Sequence, residues 1–178
     1  MDFNRYSKLV NQFYENDNRE INFQNRVIIP FLEELFGNEI DIVDTSTLYK
    51  NWKTIDRERF AGDYTPDILI AKNWSLFKRQ ANTEYLALIE VKTPNARDRA
   101  HAIKEVKEYQ DKVDKVILTN CLTWEFYFNK QYEAISLEKT YEGKSIAVST
   151  GSVSRIVEWD DSLWEKLLEK LLSIIKEK

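Results

Sequence analysis

Apolar positions along this chain change their period several times, and each change marks a different predicted element. Phe3, Tyr6, Val10, Phe13 and Tyr14 recur at helical spacing and predict a short amphipathic helix over residues 2–15. Ile21, Val27, Ile28, Phe31, Leu32 and Leu35 predict a second helix over about 18–36, with Gly37 as its C-terminal stop. Asp17, three residues before Glu20, has the form of a capping box. Strand-length runs follow: Ile40–Val43, the segment from Tyr64 to Ile70, and Leu86–Lys92. Between the first two lies a polar stretch, 44–63, expected to be a hairpin or a substrate-facing loop ending in a Gly62-Asp63 turn. The connection 72–83 is expected to be anchored by Trp74 and Phe77.

After Thr93-Pro94-Asn95 the period returns to that of a helix reaching about residue 112, with Ala100, Ile103, Val106 and Tyr109 near one stripe. Lys115–Thr119 then returns as a strand, giving a βαβ unit, and 124–128 with 132–137 read as paired strands turning at Asn129-Lys130. Residues 141–157 carry no clear period. Leu163, Trp164, Leu167, Leu168, Leu171, Leu172 and Ile175 predict a C-terminal helix over 162–176, opening on a second capping-box pattern, Ser162 with Glu165. This helix is expected either to pack on its own core or to form an interface with a second chain. The alternation predicts an α/β fold, with residues 1–178 as a single domain and no repeat or linker.

Two of the strands carry charges where a buried strand should not. Asp67 heads one of them, and Glu90 and Lys92 lie two positions apart in another, so they share a face while Val91 points to the other side. A charge buried without a partner costs several kcal/mol or is neutralised, so such groups are usually paired or bound to a metal. Asp67 and Glu90 together would suit a hard cation such as Mg2+ or Mn2+. Lys92 beside them would offset their charge and orient or help deprotonate an attacking water.

Pro66-Asp67, then 22 residues, then Glu90-Val91-Lys92 resembles the signature of the PD-(D/E)xK nuclease superfamily. Within it, the chain is most similar to the nuclease domain that begins type I restriction motor subunits, and to stand-alone relatives of that domain. Glu20-Ile21-Asn22-Phe23-Gln24-Asn25-Arg26 leading to Ile29–Gly37 resembles the first helix of that group, and Val116–Cys121 with Trp124–Tyr127 resembles the strand pair after its crossover helix. The likeness spans roughly residues 18–130. One position departs from it: where that group carries a Gln-xxx-Tyr element, this chain has Glu105-Val106-Lys107-Glu108-Tyr109, with Gln110 one residue beyond the tyrosine.

The resemblance implies a restriction-endonuclease-like core, a mixed central β-sheet flanked by α-helices, and a Mg2+-dependent DNA endonuclease for which Mn2+ would substitute. Asp67 and Glu90, with the Val91 carbonyl, would hold the metal and Lys92 would position the water. Glu20 has two readings, a helix cap or a place at the metal site, directly or through water. Restriction or mobile-element DNA processing is the implied setting. Two alternatives remain: a weak or inactive nuclease-fold subunit that binds DNA or recruits a partner, and a dimeric Holliday junction resolvase.

Composition narrows the rest. A chain of 178 residues, 43% hydrophobic, with 4 Gly and 3 Pro, can bury a core without disulfides. No apolar run approaches the roughly 20 residues of a membrane span, and the start lacks a signal-peptide core, so a cytoplasmic protein is expected. One cysteine, Cys121, excludes an internal disulfide and a cysteine-held iron–sulfur cluster, and one histidine, His101, excludes clustered-histidine metal sites. No glycine-rich phosphate loop is present, so no ATP is expected. The net charge of −4, from 26 basic and 30 acidic residues, argues against unspecific coating of nucleic acid. Local basic groups flank the site in sequence: Lys50, Lys53, Arg57 and Arg59 before it, and Arg97, Arg99, Lys104, Lys107 and Lys112 after it. They read equally as phosphate contacts or as a solvated face.

Overall fold

The strand runs, the central ones buried on both faces, pair into one six-stranded mixed sheet, β1-β2-β3-β4-β5-β6 in spatial as in chain order. The computed structural model describes residues 1–46, 65–75, 83–94, 99–141, 144–145, 148–149 and 155–176. Its strands are β1 Asp41–Asp44, β2 Ile68–Lys72, β3 Glu84–Val91, β4 Lys115–Thr119, β5 Thr123–Phe128 and β6 Gln131–Ser136. Every pairing is antiparallel except β3 with β4, which are parallel and joined through helix α4, Arg99–Gln110. A parallel pair needs such a crossover, because a tight turn can only reverse the chain. Four two-residue strands form two small ladders in the region without a clear period: β7 Thr140–Tyr141 with β8 Lys144–Ser145, and β9 Val148–Ser149 with β10 Arg155–Ile156.

Alternation along each strand sorts side chains onto two faces. Ile68 and Ile70, Ala87, Ile89 and Val91, Ile117, Trp124, Phe126 and Phe128 enter one cluster with the helices α1, Phe3–Asn16, α3, Ile29–Phe36, and α5, Trp164–Lys176. Leu69, Ala71, Leu88, Val116 and Leu118 enter the other, covered by α4. The result is an α/β fold with helices on both faces of the sheet. Among the described residues no helix is long and apolar enough to cross a membrane.

The larger cluster is rich in aromatic rings. Tyr6, Phe31, Trp124 and Trp164 meet edge-on or tilted, and Trp124 Nε1 donates to the Tyr6 hydroxyl at 3.3 Å, which itself donates to the Cys121 carbonyl at 2.8 Å. Helix α5 buries Trp164, Leu167, Leu171 and Ile174 in this cluster. The buried Lys115 ammonium donates to the Ile174 carbonyl at 2.9 Å, placing a cation at the helix C-terminus where the dipole favours it.

Several local expectations change. The second helix has three parts: α2, Glu20–Phe23, a π-helical turn over Gln24–Ile28, and α3. Pro30 has no N–H for the carbonyl four residues back and its ring crowds that group, and the widened turn before it accommodates both. The Asp17–Glu20 capping box does not form. Arg19 is the cap residue with no side-chain bond, and Asp17 instead accepts from the Arg19 guanidinium at 2.8 Å. At the C-terminal helix it is Asp160, not Ser162, whose carboxylate accepts, from the Ser162 N–H at 3.0 Å. On α4 the buried stripe is Ala102, Glu105, Val106 and Tyr109, while Ala100 is exposed and Ile103 only half-buried. Asn129 and Lys130 both have positive φ, 50° and 65°, as a two-residue hairpin turn demands. Phe77, Gly62 and Asp63 lie outside the described residues.

Leu171 is fully buried between α5 and the sheet. Leu171→Ala is expected to lower unfolding free energy by about 2–5 kcal/mol, through lost transfer energy and the cavity left behind. Urea denaturation followed by circular dichroism measures this, and a change under about 0.5 kcal/mol would mean that α5 contributes little to the core.

Candidate active site

The ladder of β2 against β3 pairs Ile68 with Ile89 and Leu69 with Leu88. Continued by one residue, this register sets Asp67 opposite Glu90. Asp67 shares a face with Leu69, and Glu90 with Leu88, so both carboxylates emerge on the α4 side. Both are buried, at 9% and 3% exposure. Two acids directly opposite each other oppose sheet formation unless something compensates them.

Asp67 is held from three directions. Its N–H donates to the Ile89 carbonyl at 3.1 Å, and its own carbonyl accepts from the Thr45 N–H at 2.9 Å and from Gln24 Nε2 at 3.1 Å. Its Oδ2 accepts the Val91 N–H at 2.8 Å, so the Asp67 carboxylate ties the start of β2 to the end of β3. Gln24 comes from the π-helical turn and also donates to Asp44 Oδ1 at 3.0 Å, which fixes the first helices to this end of the sheet.

Lys92 follows β3 directly, and its N–H donates to the Thr119 carbonyl of β4 at 2.8 Å. Its ammonium meets Glu90 Oε1 and lies 3.1 Å from Glu105 Oε2. The other Glu90 oxygen accepts from the Tyr109 hydroxyl at 3.2 Å, and the other Glu105 oxygen faces His101 Nε2 at 3.4 Å. Glu105 and Tyr109 are one helical turn apart in the buried stripe of α4, so both reach the end of β3 together.

Charge here is unbalanced. Burial pushes the Asp67 carboxyl up to about 7 against the opposing Val91 N–H, with Glu20 and Glu105 adding repulsion. Burial and then the Asp67 charge raise Glu90 well above the ordinary carboxylate range, despite Lys92. The half-buried Glu20 is raised as well, chiefly by burial, in a field that includes both Lys92 and Glu105. Burial works to lower Lys92, but the surrounding carboxylates, Glu90 first, outweigh it and hold the ammonium firmly charged. The Tyr109 phenol is raised by burial and by its anionic neighbours.

The structure therefore brings together Asp67, Glu90, Lys92, Glu105 and Tyr109, joined by the Val91 N–H, with Glu20 in electrostatic range. Gln110 lies apart, half-buried near Tyr127. Lys104 and Lys107 are exposed. Arg99 does not face the acids: it grips Glu125 with both terminal nitrogens, Nη2 at 2.7 Å from Oε2. Arg57, Arg59 and Arg97, like Lys50 and Lys53, lie outside the described residues. Sequence reasoning missed Gln24 and the reach of His101 to Glu105. A polar residue inside an apolar helical stripe was the available signal for Gln24, and an i,i+4 pairing the signal for His101.

Among the described residues no group of three or more His, Cys, Asp or Glu side chains is arranged to hold a metal ion. The donor chemistry nevertheless suits a hard cation: Asp67 and Glu90 offer carboxylate oxygens whose mutual repulsion a second positive charge would relieve. Comparison with protein-family models, with curated proteins and with solved structures finds no match to this chain.

A carboxyl raised above its unfolded value of about 4 makes the folded state bind more protons, so its stability contribution is lost as pH rises through that interval. For Asp67 the interval runs from about 4 to about 7. Asp67→Asn removes this titration, so the variant should gain stability relative to wild type across the same interval. Urea denaturation of both proteins in chelator, at several pH values, reads the difference directly. A difference that stays constant with pH would show that Asp67 is not protonated more readily in the fold than in the unfolded chain.

Proposed function

We propose that the chain is a metal-dependent deoxyribonuclease with a restriction-endonuclease-like core, cutting phosphodiester bonds at the end of β2 and β3. The observation that carries this reading is the register that sets Asp67 across from Glu90, with Lys92 on the same face and in contact with Glu90. An antiparallel β1–β3 sheet followed by a helical crossover to a parallel β4 supports the assignment of the core.

Asp67 and Glu90, with the Val91 carbonyl, would hold Mg2+ or Mn2+. When bound, the ion would acidify water and neutralise charge building on the phosphate. The chain's own residues have separate tasks. Tyr109 and Lys92 fix the two Glu90 oxygens, so the carboxylate enters with its orientation set. Lys92 presents its ammonium where an attacking water or a phosphate oxygen would sit, and Glu105 keeps it there. Glu20 extends the acidic rim toward α2.

A second reading, a nuclease-fold subunit that binds DNA without cutting it, is favoured by one observation: the Lys92 ammonium is shared by two glutamates rather than free to act. Cleavage of supercoiled plasmid, linear duplex, single-stranded and four-way-junction DNA with Mg2+ or Mn2+ separates the two. The nuclease reading expects metal-dependent cutting that falls at least about 100-fold in Lys92→Ala and in Asp67→Asn. Circular dichroism of both variants separates lost cutting from lost fold. No cutting of any substrate by wild type would leave the binding subunit as the surviving assignment.

A further inference from the structure

The α4 face of the sheet is only partly covered. Helix α4 lies over β3 and β4 and reaches the outward row of β5 through Arg99 on Glu125 and the apolar cluster that Tyr127 packs against, while Tyr132 and Ala134 of β6 stay exposed. At this edge Tyr127 pairs with Tyr132, their ring centroids 5.1 Å apart, and Tyr132 is 56% exposed. The two hydroxyls converge on Glu125 Oε2, at 2.7 Å from Tyr127 and 3.3 Å from Tyr132. Glu125 also carries Arg99; burial pushes its carboxyl up, but the bonds from Arg99 and the two tyrosines and the Arg99 charge together hold it below its ordinary value. Both rings are thus oriented by a carboxylate whose charge is already neutralised.

Around this pair a cleft of about 660 Å³ opens between α4 and the β5–β6 hairpin. Lys107 lines it from α4 and Lys130 from the hairpin turn, and among the described residues neither has a carboxylate within ion-pair distance. The remaining lining residues are Gln110, Asn129 and Gln131 and the acids Asp111 and Asp114. Stacking faces, edge donors and acceptors, and two cations are the three things an unpaired nucleotide needs. The two aspartates offset the lysines, so charge alone does not make this a duplex-gripping surface.

The cleft lies on the same face of the sheet as the candidate active site, toward the opposite strand ends. A smaller cavity of about 100 Å³, lined by Lys92, Arg99, Asn120, Thr123 and Glu125, sits at the other end of β5. From Thr123 to Tyr127 is four residues of strand, about 13 Å at ~3.3 Å per residue. Arg99 and Glu125 line the smaller cavity, and Glu125 accepts from both tyrosines of the cleft.

We infer that the Tyr127–Tyr132 cleft binds an unpaired nucleotide of the DNA strand whose backbone enters the Lys92 site, so that the protein prefers frayed, flapped or single-stranded DNA over continuous duplex. This deepens the nuclease reading and rests on it for the path of the strand. The stacked base lies on Tyr132, its edge faces the amides and aspartates, and Lys107 and Lys130 take the adjoining phosphates.

Binding of a short labelled single strand, and of the same sequence as a blunt duplex, is measured by fluorescence anisotropy in chelator, where no cutting occurs. Tyr132→Leu is expected to weaken single-strand binding about tenfold, since one base loses its aromatic face, and to leave duplex binding unchanged. Tyr132→Phe keeps the face and should stay near wild type, whereas Lys107→Glu should weaken single-strand binding. Both positions, Tyr132 and Lys107, are exposed, and circular dichroism checks the fold. Single-strand binding that is equal in wild type, Tyr132→Leu and Lys107→Glu would overturn the inference. The two proposals fail separately. Tyr132-dependent binding by a protein that cuts nothing would uphold the cleft and remove the nuclease, and Lys92-dependent cutting with Tyr132-independent binding would do the reverse.

Discussion

One ammonium group stands between two buried carboxylates, and much of the α4 side of the molecule is arranged around that fact. Lys92 contacts Glu90 and Glu105, while Asp67 faces Glu90 across the sheet with no cation of its own among the described residues. Buried charge is tolerated only where geometry compensates it, because the desolvation cost is several kcal/mol per ion. Here the compensation comes from three elements at once: the Val91 N–H of β3 on Asp67, the Tyr109 hydroxyl of α4 on Glu90, and the Gln24 amide of the π-helical turn on the Asp67 backbone, while Glu105 shares the Lys92 ammonium and adds repulsion. Shifting β2 by one residue against β3 would send Asp67 to the opposite face and break most of these contacts.

The two faces of the sheet divide the work. Beneath α1, α3 and α5 the core is almost wholly apolar and aromatic, and its few polar groups, such as Tyr6 and Lys115, are bonded within it. Above, under α4, a smaller apolar cluster gives way to titratable groups toward the ends of β3 and β4. A rigid, well-packed face can hold the strained face in place, and strand ends set side-chain positions more tightly than loops do. The excess of negative charge over what Lys92 can balance is the cost in stability that such a site carries, and it is the kind of cost a bound cation or phosphate-associated metal would relieve.

Among the described residues, several basic groups are already taken by carboxylates. Arg99 is committed to Glu125 and Lys166 and Lys170 both bind Glu133. What remains on the α4 face among the described residues is a pair of tyrosines with a few cations and amides. Recognition that depends on stacking and edge contacts is less sensitive to salt than recognition by phosphate contacts alone. An acidic total charge is compatible with the first kind more readily than with the second.

Periodicity was enough to read most of the helices and strands, because each element hides a continuous apolar face and the period of that face is set by backbone geometry. It also exposed Asp67, Glu90 and Lys92, since a charge inside an apolar run contradicts its surroundings. Glu105 was noticed only as a departure from a glutamine, although its place between Ala102 and Val106 in the buried stripe of α4 carried the same contradiction. What no local pattern could supply was pairing across elements: that β2 meets β3 in the register placing Asp67 against Glu90, that Arg99 turns to Glu125 instead of the acids, that Gln24 reaches Asp67 from a widened helical turn. The capping boxes failed for a related reason, because a cap forms only where the chain direction at the helix start lets the side chain return to the backbone, and Arg19 fills that place at α2. Residue type determined which groups needed a partner; only the tertiary fold decided which partner each one met, because those contacts join residues up to 43 positions apart and depend on how strands and helices stack.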